Sequence, residues 1–343
     1  MKTKLCLVLA LLLVLTEACT QLESKIIFES SDTGKLYTLQ WGVKTEVNGL
    51  DLSCGNPSWS PNKKLIACQS GNKTIEVIDN LGTRLGTIAD DKYSFDAYSW
   101  SPDNSHLIIS GSTSIGDSGI FSVKFDGSDL TRLTNSTEMK ALWPQWSPNG
   151  KFILYRSMKF NNKENEPTII TDNLVIIKPN GQEVFRFDLA RISAFQLGSL
   201  QGVAANWSPD SMKLGLLGWY IIDIQANKII NLMSQNNTLC TNSPPTWSID
   251  GSTLLFQAIL CGDHNPDTWS DIYTIDTNGT NLKQLTNTEK AFLPWWSPDG
   301  RYIAYDSNVT GIWNIYLMKS DGSDDKNLTN STNDVQFVDW LTP

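Results

Sequence analysis

His106 and His264 are the only two histidines in the chain. A histidine-rich metal centre, or catalysis with histidine as general base, is therefore not expected. A serine nucleophile has no setting either, because no Gly-x-Ser-x-Gly elbow stands between a strand and a helix. Gly116-Asp-Ser-Gly119 looks like a serine-protease fragment but reads as a turn between strands. Asp126-Gly-Ser-Asp129 and Asp321-Gly-Ser-Asp-Asp325 bring carboxylates close together without EF-hand spacing, and they too read as turns. No cofactor, no metal and no catalytic residue are expected.

Binding chemistry is better placed in three segments that read as long loops, 111–119, 157–172 and 260–271, joined on one face by the connection 188–205. They carry Asp117, Lys159, Glu166, Asp172, Asp263, His264, Asp267 and Trp269, the candidate ligand face. Long loops on a rigid scaffold are where binding concentrates. The competing expectations are solvated loops without a ligand, and a glycosidase, for which paired carboxylates would suffice.

The scaffold is legible in a repeat. Trp59-Ser-Pro-Asn-Lys, Trp100-Ser-Pro-Asp-Asn, Trp146-Ser-Pro-Asn-Gly, Trp207-Ser-Pro-Asp-Ser, Trp247-Ser-Ile-Asp-Gly and Trp296-Ser-Pro-Asp-Gly recur at spacings of 41, 46, 61, 40 and 49 residues. A degenerate copy follows at Trp340-Leu-Thr-Pro. Periods of this length with four short apolar runs each indicate β-propeller blades. In the 292–329 unit, Phe292–Trp296 reads as strand A, Ser297–Gly300 as a tight turn, and Arg301–Tyr305, Asn314–Met318 and Lys326–Thr329 as strands B, C and D. Pro57, Pro144, Pro245 and Pro294 stand two residues before the repeat tryptophan. Proline suits an edge strand, and the innermost strand of a blade is an edge. The tryptophans are expected to pack between blades.

Before Trp59, Lys25–Phe28, Lys35–Leu39 and Lys44–Val47 look like B, C and D without an A; Val335–Trp340 looks like an A with nothing after it. The two ends are expected to complete one sheet. The expected fold is thus all-β, a seven-bladed propeller of four-stranded antiparallel blades, with six blades as the alternative. The motif, its Asp-Gly-Ser turns and the endings Leu133-Thr134, Leu285-Thr286 and Leu328-Thr329 resemble the TolB-type WD40-like (PD40) propeller family over about residues 22–343. The resemblance implies a propeller without TolB's N-terminal domain; as scaffold sequence it implies little about function. Some TolB-like propellers resemble oligogalacturonate lyases, which hold a metal with clustered histidines; only His264 would serve here.

Composition sets the outer bounds. With 40% hydrophobic and 10% aromatic residues, including 13 Trp, the chain is too apolar to be disordered, and a net charge of −9 argues against nucleic acid as a partner. Lys2 and Lys4 precede an unbroken apolar run, Leu5–Leu15, too short for a permanent span and suited to a secretory signal. Ala18-Cys19 resembles a bacterial lipobox. The expected organisation is a signal over 1–18, a tether over 19–24 with a lipid on Cys19, and a propeller over 25–343. Such a chain would be exported, held to the membrane by that lipid alone, and would bind a protein or glycan of the cell envelope. A TolB-like envelope-assembly role and a polysaccharide lyase or glycosidase are the alternatives. Cys19 apart, Cys54 with Cys68 and Cys240 with Cys261 fall within two residues of facing register in two A–B hairpins, so both pairs are expected to be disulfides.

Overall fold

The computed structural model describes residues 25–30, 35–40, 43–46, 55–71, 73–79, 82–135, 139–161, 168–192, 205–216, 219–232, 239–241, 244–261 and 270–341. The described strands form antiparallel sheets arranged in a ring. Six sheets, numbered here 2 to 7, are each drawn from one stretch of chain that begins at a tryptophan motif. Their inner strands are Gly55–Trp59, Ser94–Trp100, Lys140–Trp146, Ala205–Trp207, Thr246–Trp247 and Ala291–Trp296. In sheet 6 the inner strand is split, with Leu239–Cys240 pairing further along the same neighbour, Thr253–Leu260.

Sheet 1 is composite. Val335–Leu341 lies beside Lys25–Ser30, followed by Lys35–Gln40 and Val43–Glu46. Ile26 faces Trp340 and Ser30 faces Val335, so the chain ends close one sheet as expected.

Each tryptophan motif is a hydrogen-bonded turn. Ser101 Oγ donates to Asp103 Oδ1 (2.6 Å) and accepts the His106 N–H (2.9 Å), while Asp103 accepts the Ser105 N–H (3.0 Å). The same three bonds recur at Ser297, where Oγ meets Asp299 (2.6 Å), Tyr302 N–H meets Oγ (2.9 Å) and Arg301 N–H meets Asp299 (3.0 Å). Serine and aspartate thus replace the backbone partners that a chain reversing direction lacks. Ser101 and Ser297 are buried, and the hydroxyls of Ser101 and Ser105 hold the Asp103 carboxyl at about 2. Across the turn, Trp59 faces Ile66 and Trp247 faces Leu254, seven residues on.

The tryptophans pack between sheets. Trp100 joins Ala67, Ile75 and Val77 of the preceding sheet in one cluster, and its Nε1 donates to the Ser58 carbonyl at 3.0 Å. Trp247 Nε1 likewise reaches back to Asn206 O at 3.1 Å. The Leu-Thr endings also have a defined task. Ile120, Ile272 and Ile315 donate their N–H to Thr134, Thr286 and Thr329 Oγ1 at 2.9, 2.9 and 3.1 Å. A threonine hydroxyl there continues the ladder where the short outer strand stops.

Two cysteine expectations fall within the described residues. Cys240 and Cys261 are bonded, with Cα atoms 5.0 Å apart, inside the usual disulfide range. Cys68 is fully buried and disulfide-bonded; its expected partner Cys54 lies outside the described residues, as does Cys19.

Candidate functional site

The inner strands are not regular. Their pairing shifts register between Gly55 and Ser58, Phe95 and Tyr98, Leu142 and Gln145, and Phe292 and Trp295. Three of these bulges hold a proline directly after a residue with left-handed φ: Asn56 at 53°, Trp143 at 51° and Leu293 at 45°. Proline has no N–H to lose from the ladder, so it is tolerated where a bulge has already interrupted pairing. The bulge re-aims side chains, and Trp143 and Trp295 consequently turn toward the ring axis.

There the inner strands of sheets 2 to 7 surround a cavity of about 980 Å³. Its walls are aromatic: Trp143, Trp146, Trp207, Trp247, Trp295 and Trp296 all line it. Gln145, Asn206 and Thr246 supply neutral hydrogen-bonding groups, and Pro148 and Pro209 stand at the mouth on the turn side. None of the lining residues is ionisable except Tyr98. Its hydroxyl donates to the Asn56 carbonyl, and burial pushes its pKa far upward, so it remains a neutral donor. Nε1 of Trp146, Trp207 and Trp296 is buried without a partner among the described residues. The indoles therefore offer ring carbon and π face to the cavity rather than N–H. Trp295 is 44% exposed and stacks on Phe337, centroids 6.3 Å apart.

The polar groups beneath these walls bond from sheet to sheet. Three residues beyond the partners of Trp59, Trp100, Trp146, Trp247 and Trp296, the second strands carry Gln69, Ser110, Arg156, Gln257 and Asp306. Gln69 Nε2 donates to Phe95 O (3.2 Å), Leu293 N–H donates to Gln257 Oε1 (2.6 Å), and Phe337 N–H donates to Asp306 Oδ1 (3.0 Å). Each bond holds the bulge of the following sheet's inner strand. Arg156 and Asp172 are both fully buried and form a two-pronged ion pair, one bond at 2.7 Å, with the guanidinium 5.7 Å from the Trp143 ring.

The expected ligand face fares differently. Segment 157–172 is not a loop through most of its length, because the strands Ile153–Asn161 and Thr168–Ile177 extend into it. Asp172 is thus a buried partner of Arg156, and Lys159 sits on a strand. Segment 111–119 is a hairpin of five residues between Ser112 and Ser118. Asp117 there accepts from both Arg132 guanidinium nitrogens (3.0 and 2.7 Å) and from Tyr93 Oη (3.2 Å), and Arg132 holds its carboxyl at about 2. Glu166, Asp263, His264, Asp267 and Trp269 lie outside the described residues. The sequence pointed to none of the channel residues as a site, because the motif tryptophans read as core. Among the described residues no three His, Cys, Asp or Glu side chains are grouped to hold a metal, and no helix is long and apolar enough to cross a membrane.

No family model matches the chain. An uncharacterized protein of Agrobacterium fabrum is 26% identical over 213 residues, 60% of this chain and 64% of that protein. A TolB homolog of Chlorobaculum tepidum is 37% identical over 71 residues, 20% of this chain. The crystal structure of TolB from Acinetobacter baumannii covers 92% of this chain and 65% of its own at 16% identity and a TM-score of 0.48. The oligogalacturonate lyase of Vibrio parahaemolyticus superposes with a TM-score of 0.60 at 11% identity, covering 85% of this chain and 90% of its own. The chain has a β-propeller fold, and 71 of its residues are similar to a TolB homolog. It spans 64% of the Agrobacterium relative's length and 15% of the Chlorobaculum protein's. The likeness to the lyase is one of fold.

Proposed function

We propose that this TolB-like propeller is a non-catalytic binding module of the cell envelope, which grips an uncharged segment of an envelope protein or glycan in its channel. The observation that carries the reading is the wall of the channel. A cavity of about 980 Å³ is lined by tryptophan, proline and neutral polar groups, in a chain whose net charge is −9. Aromatic walls with a few fixed hydrogen-bonding groups are the usual make-up of a binding pocket. Such a wall has neither an acid–base pair nor an anion clamp, so it fits recognition better than bond chemistry.

Export and lipid anchoring belong to the same proposal. They are supported by the signal-like start, by Ala18-Cys19 and by disulfide bonding at Cys68 and Cys240–Cys261, since disulfides persist in oxidising compartments. The TolB-like assembly role is favoured over an unrelated binding role by the 71-residue likeness to a TolB homolog.

The test is capture from envelope extract by the wild-type chain and by Trp143→Ala/Trp295→Ala. Trp143 is half-buried and Trp295 exposed, and a thermal melt of the variant checks that it is folded before capture is compared. A protein or glycan held by wild type and lost with the variant is expected. Capture that survives both substitutions unchanged would move the site out of the channel.

A further inference from the structure

We infer that the uncharged segment taken up in the channel is a neutral saccharide chain, its sugar rings stacked on Trp143 and Trp295 and its hydroxyls met by a ring of amide and hydroxyl side chains. The inference rests on the channel reading proposed above and names the ligand class for it.

The first support is the residue that precedes each motif tryptophan. In sheets 2 to 7 it is Ser58, Ser99, Gln145, Asn206, Thr246 and Trp295, and all six line the cavity. The five polar members are half-buried and neutral. Two of them are held in place with capacity to spare. Asn206 Nδ2 donates to the Pro245 carbonyl at 3.1 Å, which leaves its side-chain oxygen to accept. Thr246 Oγ1 donates to the Leu255 carbonyl at 3.3 Å and keeps its lone pairs. In sheet 1 the same position is Asp339, whose charge is answered by Lys63. Around the axis there is thus one polar group per sheet in five sheets and no unpaired charge, which matches a ligand rich in hydroxyls and free of ionised groups.

The second support is the pair of tryptophans that the bulges turn inward. The Arg156 guanidinium lies 5.7 Å from the Trp143 ring, and Phe337 stacks on Trp295 with 28° between the planes. Each indole is backed by one neighbour and still borders the cavity. A pyranose ring presents a face of C–H groups and a rim of hydroxyls. A fixed aromatic surface meets the first, and neutral donors and acceptors beside it meet the second.

The third support is what the inner edges lack. A peptide in the channel would gain most by adding a strand, through the main-chain N–H and C=O groups of an inner edge. Pro57, Pro144, Pro245 and Pro294 remove an N–H from four of those edges, and in three of the four a bulge breaks the strand as well. Side chains are left to make the polar contacts, which favours a saccharide over a peptide.

The experiment titrates the full chain with cellotetraose, chitotetraose, mannotetraose and tetragalacturonate, read by calorimetry and tryptophan fluorescence. Saturable binding of at least one neutral tetrasaccharide is expected, without competition from tetragalacturonate. It should weaken roughly tenfold in Trp295→Ala, recover in part in Trp295→Phe, and weaken severalfold in Gln145→Ala, each variant first shown to be folded by its thermal melt. Tetragalacturonate bound as tightly as the neutral chains, or neutral binding untouched by both alanine substitutions, would overturn the inference. So would silence toward every saccharide while an envelope protein is still captured in a manner that needs Trp143 and Trp295; the channel reading would then stand. Silence toward every saccharide, with capture indifferent to those tryptophans, would remove the inference and the channel reading together.

Discussion

The fifth residue of each tryptophan motif shows how a single side chain can decide the value of a strained position. All six have left-handed φ: Lys63 (57°), Asn104 (65°), Gly150 (68°), Ser211 (63°), Gly251 (70°) and Gly300 (71°). Glycine takes that conformation freely, whereas another residue gives up about 1–2 kcal/mol. Each of the three exceptions reaches the preceding sheet. Lys63 pairs with Asp339, Asn104 Oδ1 accepts the Asn62 N–H at 2.8 Å, and Ser211 Oγ accepts the Asn149 N–H at 3.1 Å. The strain is offset by a bond between neighbouring turns that glycine has no atoms to make. Asn104→Ala should therefore lose the bond and keep the strain, costing roughly 0.5–1.5 kcal/mol, while Asn104→Gly loses the same bond but sheds the strain, so it should be more stable than the alanine variant by about 1–2 kcal/mol. Urea midpoints order the three proteins; an alanine variant as stable as the glycine one would show that the backbone there is unstrained. The turn itself was legible, because Trp-Ser-Pro-Asp-Gly is a local pattern whose bonds close within seven residues. That the lysine, asparagine and serine copies are bridges was not, since their partners lie 276, 42 and 62 residues away.

Between elements, the sheets are joined by polar groups that replace missing backbone partners at the bulges. Asp306 is the sharpest case. Asp306 is 3% exposed, its carboxyl accepts the Phe337 N–H, and burial pushes it up to about 7 from its ordinary 3.8. Below about pH 4 the group is neutral whether the chain is folded or not. Between about 4 and 7 the folded chain keeps a proton that the unfolded chain releases, so this carboxyl's contribution to stability falls as pH rises and levels off above about 7. The slope is at most about 1.4 kcal/mol per pH unit. Asp306→Asn keeps the acceptor and cannot ionise, so its stability relative to wild type should rise across that window. Parallel pH profiles for the two proteins would remove Asp306 as the titrating link. The sequence could show that Asp306 follows an apolar strand but not that it faces the next sheet. Asp172 failed in the opposite direction. It was read as a loop carboxylate because 157–172 is polar, yet Arg156 neutralises it inside the ring and lets two strands run on through that segment. Polarity marks loops only while its charges remain unpaired.

At the scale of the molecule, closure is the property on which every inner strand depends. A ring has no open first or last sheet, whereas a broken ring leaves strand edges and the faces between sheets exposed. The last sheet before closure buries Ala304 and Ile315 together with Val335 and Trp340, with Tyr302, Leu317, Leu328 and Phe337 packed around them. On the other side of the junction, Lys63 in the first motif pairs with Asp339. Removing residues 335–343 takes away the inner strand of sheet 1, half of that apolar junction and the ion pair at once. The channel wall would lose Phe337 from beneath Trp295 as well. Because the sheets hold one another through bonds such as Trp100 Nε1 to Ser58 O and Gln257 to Leu293, the loss should spread rather than remain local. The truncated chain is expected to unfold at lower temperature in one transition, with amide protection falling in sheets 4 and 5, the part of the ring far from the junction. Trp340→Ala, which deletes one side chain and leaves the strand, should cost about 3–5 kcal/mol by the same route. Hydrogen exchange separates the possibilities: unchanged protection in sheets 4 and 5, with loss confined to sheet 1, would mean that the sheets stand as independent repeats and that closure is incidental to their stability.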